Sequence, residues 1–374
     1  MPTDTPSRPS ATTDLRVPVT LLTGFLGAGK TTLLNKVLAD ASSGRIAVIV
    51  NEFGEAELDH DLIAAVEDDV VLMQSGCLCC SIRGDLSKAI ADMLKRRAAG
   101  RFDFERIVIE TTGIAEPGPI LQTILMDVIL ARSTRMDGVV TVVDAANGPE
   151  ILDTQFEAVN QVAMADLILL SKTDLVDAPA VTGLTARLRG LNPTAPIIAQ
   201  DAGPVASARM WGLSGLRRDV PLRDAIVWTT PAATPAPALD PLANLSGLSS
   251  PKPEQARIAP HDNRIVSASV EVPEPLQDEN FNRWLETLMA LRGSNILRTK
   301  GIVFLDGIEK PFVFHGVQKL FNPPVPLDTW AGGPRTSRIV VIGRDMAAAE
   351  LQDSFRLLRA GQHRKTTTTQ DADA

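Results

Sequence analysis

Gly24, Gly29, Lys30 and Thr31 stand at the spacing GxxxxGKT within GFLGAGKTT, with Gly27 and Ala28 as small residues inside the loop. Each type has a physical task. Glycines let the backbone curl so that its N–H groups face phosphate oxygens, Lys30 neutralises charge on the outer phosphates, and the Thr31 hydroxyl can ligate Mg²⁺. A magnesium-bound triphosphate also calls for a carboxylate at the end of a neighbouring apolar strand. RIVIETTG offers Glu110, with Gly113 placed where a turn sensing the terminal phosphate needs bare backbone; Asp144 in VTVVDA competes for the same role.

Two further clusters carry chemistry. In LILLSKTD, Lys172 and Asp174 match a guanine-reading NKxD motif, with Ser171 in the Asn position. A carboxylate at Asp174 can accept from the guanine N1–H and 2-amino groups, which adenine lacks, and so selects GTP. All three cysteines of the chain, Cys77, Cys79 and Cys80, form CxCC in SGCLCC. Gathered thiolates suit a thiophilic ion, Zn²⁺ or Co²⁺, and the fourth ligand is open among Glu52, Glu55, His60, water and a second subunit, the last implying a homodimer. Two other readings are small buried hydrophobes, or a redox pair in the CxxC between Cys77 and Cys80. His261, His315 and His363 read as ordinary core or surface histidines.

The elements that must position these residues are legible as apolar runs. VPVTLL, RIAVIV, VVLM, RIVIE, GVVTVV, DLILL and PIIA are continuous rather than alternating, as strands covered on both faces require, and helix-like stretches such as TTLLNKVLAD follow several of them. The reading is an α/β fold, a P-loop NTPase domain with a mostly parallel sheet over residues 16–228. Residues 229–260, rich in Pro, Ala and Ser, read as a linker. Residues 261–360, with RIVSASVEV, an amphipathic NFNRWLETLMALRG, KGIVFL, PFVFHGV and SRIVVIG, read as a smaller α+β domain. Residues 1–15 and 361–374 read as disordered tails.

Bulk properties narrow the function. A chain of 374 residues with 44% apolar composition can bury two cores, and a formal net charge of −8 argues against nucleic acid or an anionic membrane as partner. No apolar run approaches a membrane span and the first residues lack the apolar middle of a signal peptide. The expected location is the cytoplasm, where thiols stay reduced and clustered cysteines favour metal over disulfides.

Taken together, GFLGAGKTT, VNEFGE, GCLCC followed by RGDL, IETTG, SKTD, RTKGIVFL and FHGVQKLFNPP resemble the CobW family of P-loop GTPases across nearly the whole chain. The resemblance implies a GTP-hydrolysing metallochaperone that binds Zn²⁺ or Co²⁺ through the cysteines and delivers it to a client metalloprotein engaged by the C-terminal domain. Carried over by residue, Gly24 to Thr32 would hold phosphates and Mg²⁺, Glu110 the magnesium or its water, Lys172 and Asp174 the guanine, and Cys77, Cys79 and Cys80 the cargo, with Glu52 as a further ligand. Many relatives carry a His-rich tract near the domain junction, where this chain has only His261, and Lys319 stands where relatives often show a second His. Cobalt handling for cobalamin synthesis or nitrile hydratase activation is an alternative within the family. A small-molecule P-loop kinase and a non-hydrolysing metal-dependent regulator are the alternatives outside it.

Overall fold

The computed structural model describes residues 14–52, 70–74, 81–200, 208–213, 220, 222–230, 261–321, 324–330 and 332–359. In the first domain the strands are β1 (Val17–Gly24), β2 (Ile46–Glu52), β3 (Val70–Gln74), β4 (Arg106–Thr111), β5 (Thr134–Asp144), β6 (Leu167–Ser171) and β7 (Ile197–Ala199). They form one seven-stranded sheet in the order β3-β2-β4-β1-β5-β6-β7, every neighbouring pair parallel. The apolar runs are continuous because both faces are covered: every residue of β6 is buried, and β1 and β4 are buried almost throughout.

The helices alternate with the strands as α1 (Lys30–Ala39), α2 (Ser81–Ala98), α3 (Pro117–Met126), α4 (Val128–Ser133), α5 (Gly148–Thr154), α6 (Phe156–Met164) and α7 (Ala178–Leu191). Leu33, Leu34 and Val37 of α1 cover one face of the sheet with Val48, Val108 and Leu169. Helices α2, α3, α6 and α7 cover the other. Because β2, β3 and β4 lie on one side of β1 and β5, β6 and β7 on the other, the chain reverses its winding at β1, and a crevice opens at the carboxyl ends of the strands there.

The second sheet contains β8 (Ile265–Val272), β9 (Ile296–Val303), β10 (Phe312–Val317), β11 (Leu320–Phe321), β12 (Val325–Pro326) and β13 (Ser337–Arg344), ordered β11-β10-β9-β13-β8 with β12 on β10, all pairs antiparallel. Alternation gives it two unlike faces. Phe314, Ile339 and Val341 meet Phe281, Trp284 and Leu288, spaced to one side of the helix Asp278–Arg292. On the opposite face Ile265, Val317 and Ile342 join the core of the first domain.

One boundary differs from the sequence reading. The helix Leu222–Thr229, assigned there to the end of the first domain, places Ala225 against Ile302, Phe304 and Val313 of the second. Its apolar face is completed by the second sheet, so it packs with that unit although it precedes the Pro-rich stretch in sequence.

Between the domains lies a buried ionic cluster. Asp166, just before β6, faces Arg298 and Lys300 of β9, and His315 of β10 lies opposite Lys300. All four are nearly sealed from solvent. The Asp166 carboxylate accepts from the Val139 backbone N–H at 2.9 Å, pairs with Arg298, and lies 2.9 Å from Lys300 Nζ. Burial pushes this carboxyl up, but the two cations outweigh it and hold it well below the usual carboxylate range. Burial lowers the Lys300 ammonium to about 8, with Asp166 opposing the shift. At the rim, Arg187 of α7 forks onto Asp262 at 2.7 and 3.0 Å, and Arg264 stacks 3.6 Å over the Phe156 ring.

This cluster makes interdomain stability sensitive to acid. Burial, reinforced by the Arg298 cation, holds the His315 imidazole well below its ordinary 6.5. Below that pH the unfolded chain takes up a proton that the folded protein refuses, so acid favours unfolding, at up to about 1.4 kcal/mol per pH unit for one proton. The thermal midpoint is therefore expected to fall between pH 6.5 and 5, and His315→Gln to flatten that fall. An unchanged slope in the variant would assign the dependence to another group.

Candidate functional site

The crevice beside β1 holds the phosphate-loop residues. Gly24 continues β1 with φ +144°, and a Cβ there would overlap the Val142 carbonyl of β5. Gly29, at φ +91°, turns the chain into α1, and Leu33 N–H donates to its carbonyl at 3.0 Å. The first turn of α1 contains no acidic side chain, so the free N–H groups and positive helix end face the loop uncompensated. Lys30 is buried, and its ammonium donates to the Gly24 and Phe25 carbonyls at 2.9 and 3.2 Å. Gly27 and Ala28 lie inside the loop, and Thr32 is exposed on the first turn of the helix.

Glu110 and Asp144 stand at different strand ends and have different partners. Glu110 stands near the end of β4, in register with Leu22 of β1, and the Thr31 hydroxyl donates to its Oε1 at 2.7 Å. A hydroxyl and a carboxylate in contact, reached through two adjacent parallel strands, are the hard oxygen donors that Mg²⁺ selects. Asp144, at the end of β5, accepts instead from Ala146 N–H, Asn147 N–H, the Asn147 amide and the Lys172 ammonium. Burial raises its carboxyl, and the bonds from Lys172 and Asn147 outweigh that and lower it. It organises the loop after β5 and holds Lys172.

On that side, Ser171 Oγ donates to the Ala28 carbonyl at 2.6 Å, tying the end of β6 to the phosphate loop. Its short side chain thus anchors SKTD to the loop although an Asn is the motif residue. Lys172 adopts φ +55°, and Asp174 lies in the short 3₁₀ turn Thr173–Leu175, exposed to solvent and without a side-chain hydrogen bond among the described residues. Lys172, Asp174 and Ser171 therefore flank the loop across the sheet end from Glu110.

Gly113 follows β4 and packs directly on the phosphate loop, where a Cβ would overlap the Leu26 backbone nitrogen. Thr111 donates to Thr23 at 2.9 Å behind it. Glu52 closes β2, its backbone in register with Gln74 at the end of β3. Parallel pairing thus places the ends of β1, β2, β3 and β4 along one edge. In the chain, Cys77, Cys79 and Cys80 fall between Gln74, the last residue of β3, and Ser81, the first residue of α2. The cysteines, Glu55, His60 and His363 lie outside the described residues. Among the described residues no group of His, Cys, Asp and Glu forms a metal-ligand set, and no helix is long and apolar enough to cross a membrane.

Residues 18–199 match the model for the CobW/HypB/UreG nucleotide-binding domain, and residues 265–359 match the cobalamin synthesis protein cobW C-terminal domain. The zinc chaperone YjiA of Escherichia coli is 34% identical over 343 residues, 92% of this chain and 99% of that protein. This chain belongs to the CobW family. Its other relatives include the zinc chaperone CobW of Pseudomonas aeruginosa, 30% identical over 91% of each chain. The zinc-regulated GTPase metalloprotein activator 1 of Schizosaccharomyces pombe is 39% identical over half of this chain and 46% of that protein. The crystal structure of Zn(II)-bound YjiA GTPase superposes with a TM-score of 0.67 at 30% identity, covering 92% of this chain and 99% of that one.

One element of this CobW-family site is absent from the motif reading. Gln161 of α6 is buried, and its amide donates to both the Gly113 and Ala115 carbonyls, at 2.9 and 3.1 Å. The signal available in FEAVNQVAM was a pair of adjacent amides in a helix whose residues 158–164 are all buried, where an apolar side chain would otherwise be expected.

Proposed function

We propose that this protein is a GTP-hydrolysing metallochaperone that binds Zn²⁺ through Cys77, Cys79 and Cys80 and hands it to a client metalloprotein. The observation that carries the reading is the shared edge. Thr31, in the first turn of α1, meets Glu110 near the end of β4 at 2.7 Å, Glu52 closes the neighbouring β2, and the cysteines follow Gln74, the last residue of β3, in the chain. Thiolates bind Co²⁺ as well as Zn²⁺. Relatives named as zinc chaperones, at 34% and 30% identity over nearly the whole chain, favour zinc as the cargo. Thiolate ligation also fits a reducing compartment, the cytoplasm.

In this reading Gly24 to Thr32 cradle the phosphates, Lys30 turns from its loop carbonyls to the outer phosphates, and Lys172 and Asp174 read guanine, with Ser171 holding that strand to the loop. Thr31 and Glu110 would hold Mg²⁺, which when bound neutralises charge developing on the phosphoryl oxygens. The Gly113 backbone faces the terminal phosphate. Its loss on hydrolysis releases this turn, and the hold on zinc weakens as the ion passes to the client.

By linkage, a triphosphate that tightens zinc is itself tightened by zinc. In a chelator competition a non-hydrolysable GTP analogue is expected to raise Zn²⁺ affinity about tenfold over GDP, within the usual range of coupling between sites. Replacing Cys77, Cys79 and Cys80 together by Ala should abolish the difference. Equal zinc affinities in the two nucleotide states would reject the proposed switch.

A further inference from the structure

We infer that Gln161 positions the turn that senses the terminal phosphate, and that α6 carries the position of that turn to the second domain. The inference rests on the nucleotide reading above and adds to it a route and a positioning residue. Two consecutive side chains of α6 grip the turn. Gln161 Nε2 donates to the Gly113 and Ala115 carbonyls, while Asn160 Nδ2 donates to Glu116 Oε1 at 3.1 Å. Gln161 Oε1 is buried and has no partner among the described residues, so the side chain is retained at a desolvation cost for what its amide holds. Gly113 leaves no room for a Cβ against Leu26, so the turn packs directly on the phosphate loop.

The other end of the same helix is bonded across the domain boundary. The Met164 carbonyl, one turn beyond Gln161, accepts from Arg298 Nη1 at 2.6 Å, and Arg298 pairs with Asp166. Glu116 also lies 3.5 Å from Arg344 of β13, and Gln122 of α3 donates to Gln318 just past β10. The turn, α6 and the start of α3 thus form one hydrogen-bonded unit whose far side is the second sheet. A close-packed unit of this kind shifts as a whole rather than deforming. A triphosphate drawing on the Gly113 N–H therefore moves Gln161, and Gln161 moves the Met164–Arg298 contact. By reciprocity, whatever binds the second domain biases triphosphate against diphosphate.

The test compares the full chain with Mg²⁺ and either GDP or a non-hydrolysable GTP analogue, reading both affinities and the hydrogen exchange of β9 and β10. In the wild type the two nucleotides are expected to give different exchange in these strands. Gln161→Leu should weaken the analogue about tenfold while changing GDP affinity less than about threefold, and should erase the exchange difference. Arg298→Lys, which keeps the charge opposite Asp166 but loses the second donor that reaches the Met164 carbonyl, should erase the exchange difference with a smaller effect on affinity. A merely structural role for Gln161 would weaken both nucleotides equally, and that result overturns the inference. So does identical exchange of β9 and β10 in the two wild-type complexes, an outcome that does not depend on either variant folding. Failure of the wild type to bind either nucleotide would refute the GTPase reading itself and is distinguishable as absent binding.

Discussion

Glu110→Gln is expected to slow GTP hydrolysis at saturating nucleotide by about 10²–10³-fold, the usual cost of removing one preorganised electrostatic group from a transition state. Glu110 is buried at the end of β4 and already receives the Thr31 hydroxyl. The amide keeps its volume and an acceptor oxygen for Thr31 but removes the negative charge that would hold Mg²⁺ against the phosphates. Nucleotide affinity should change far less, since the loop N–H groups, Lys30 and the base-side residues are untouched. Asp144→Asn is the control. Its carboxylate is occupied by Lys172 and the loop after β5, so it should weaken nucleotide binding and leave turnover at saturation close to wild type. Single-turnover hydrolysis on both variants separates the two carboxylates. A Glu110→Gln protein within about threefold of wild-type turnover would remove Glu110 from the proposed machinery.

Asp166→Ala should be the most damaging substitution for stability. It leaves Arg298 and Lys300 buried without their shared counter-charge, and breaking a buried pair from one side costs about 3–5 kcal/mol. It also orphans the Val139 N–H. Denaturant unfolding should show the loss in full, with the interdomain contacts the first to go. The informative companion is the triple change of Asp166→Leu, Arg298→Met and Lys300→Met. Replacing a whole buried ionic group by apolar residues of similar size is often neutral or stabilising, so much of the lost stability should return. Should the triple variant instead be less stable than Asp166→Ala, packing around Met164 and β9 rather than unpaired charge would be the source of the loss. Because Arg298 also holds the carbonyl end of α6, the triple variant is expected to fold while losing communication between the domains.

Much of the molecule was legible along the chain. The phosphate loop could be read because its chemistry is local: backbone curvature, one cation and one hydroxyl must follow one another within nine residues, GFLGAGKTT. The strands of the first sheet could be read because burial on both faces leaves no polar alternation to confuse them with amphipathic helices. Glu110 was visible as a carboxylate at a strand end, but so was Asp144, and composition gives both the same signature. The helix Leu222–Thr229 was placed with the first domain by its position in the chain, yet nothing local states which sheet its apolar face will meet.

The sequence by itself determined the nucleotide loop, the doubly covered parallel strands, the second domain and the family, since each is written in residues close together or in a repeating period. Only the tertiary structure decided which carboxylate meets Thr31, 79 residues away, that Gln161 grips the turn at Gly113, and that Arg298 reaches the Met164 carbonyl 134 residues earlier. The physical reason is that desolvated hydrogen bonds and ion pairs are specified by partners, and a partner brought near by strand order leaves no mark on its neighbours in the chain.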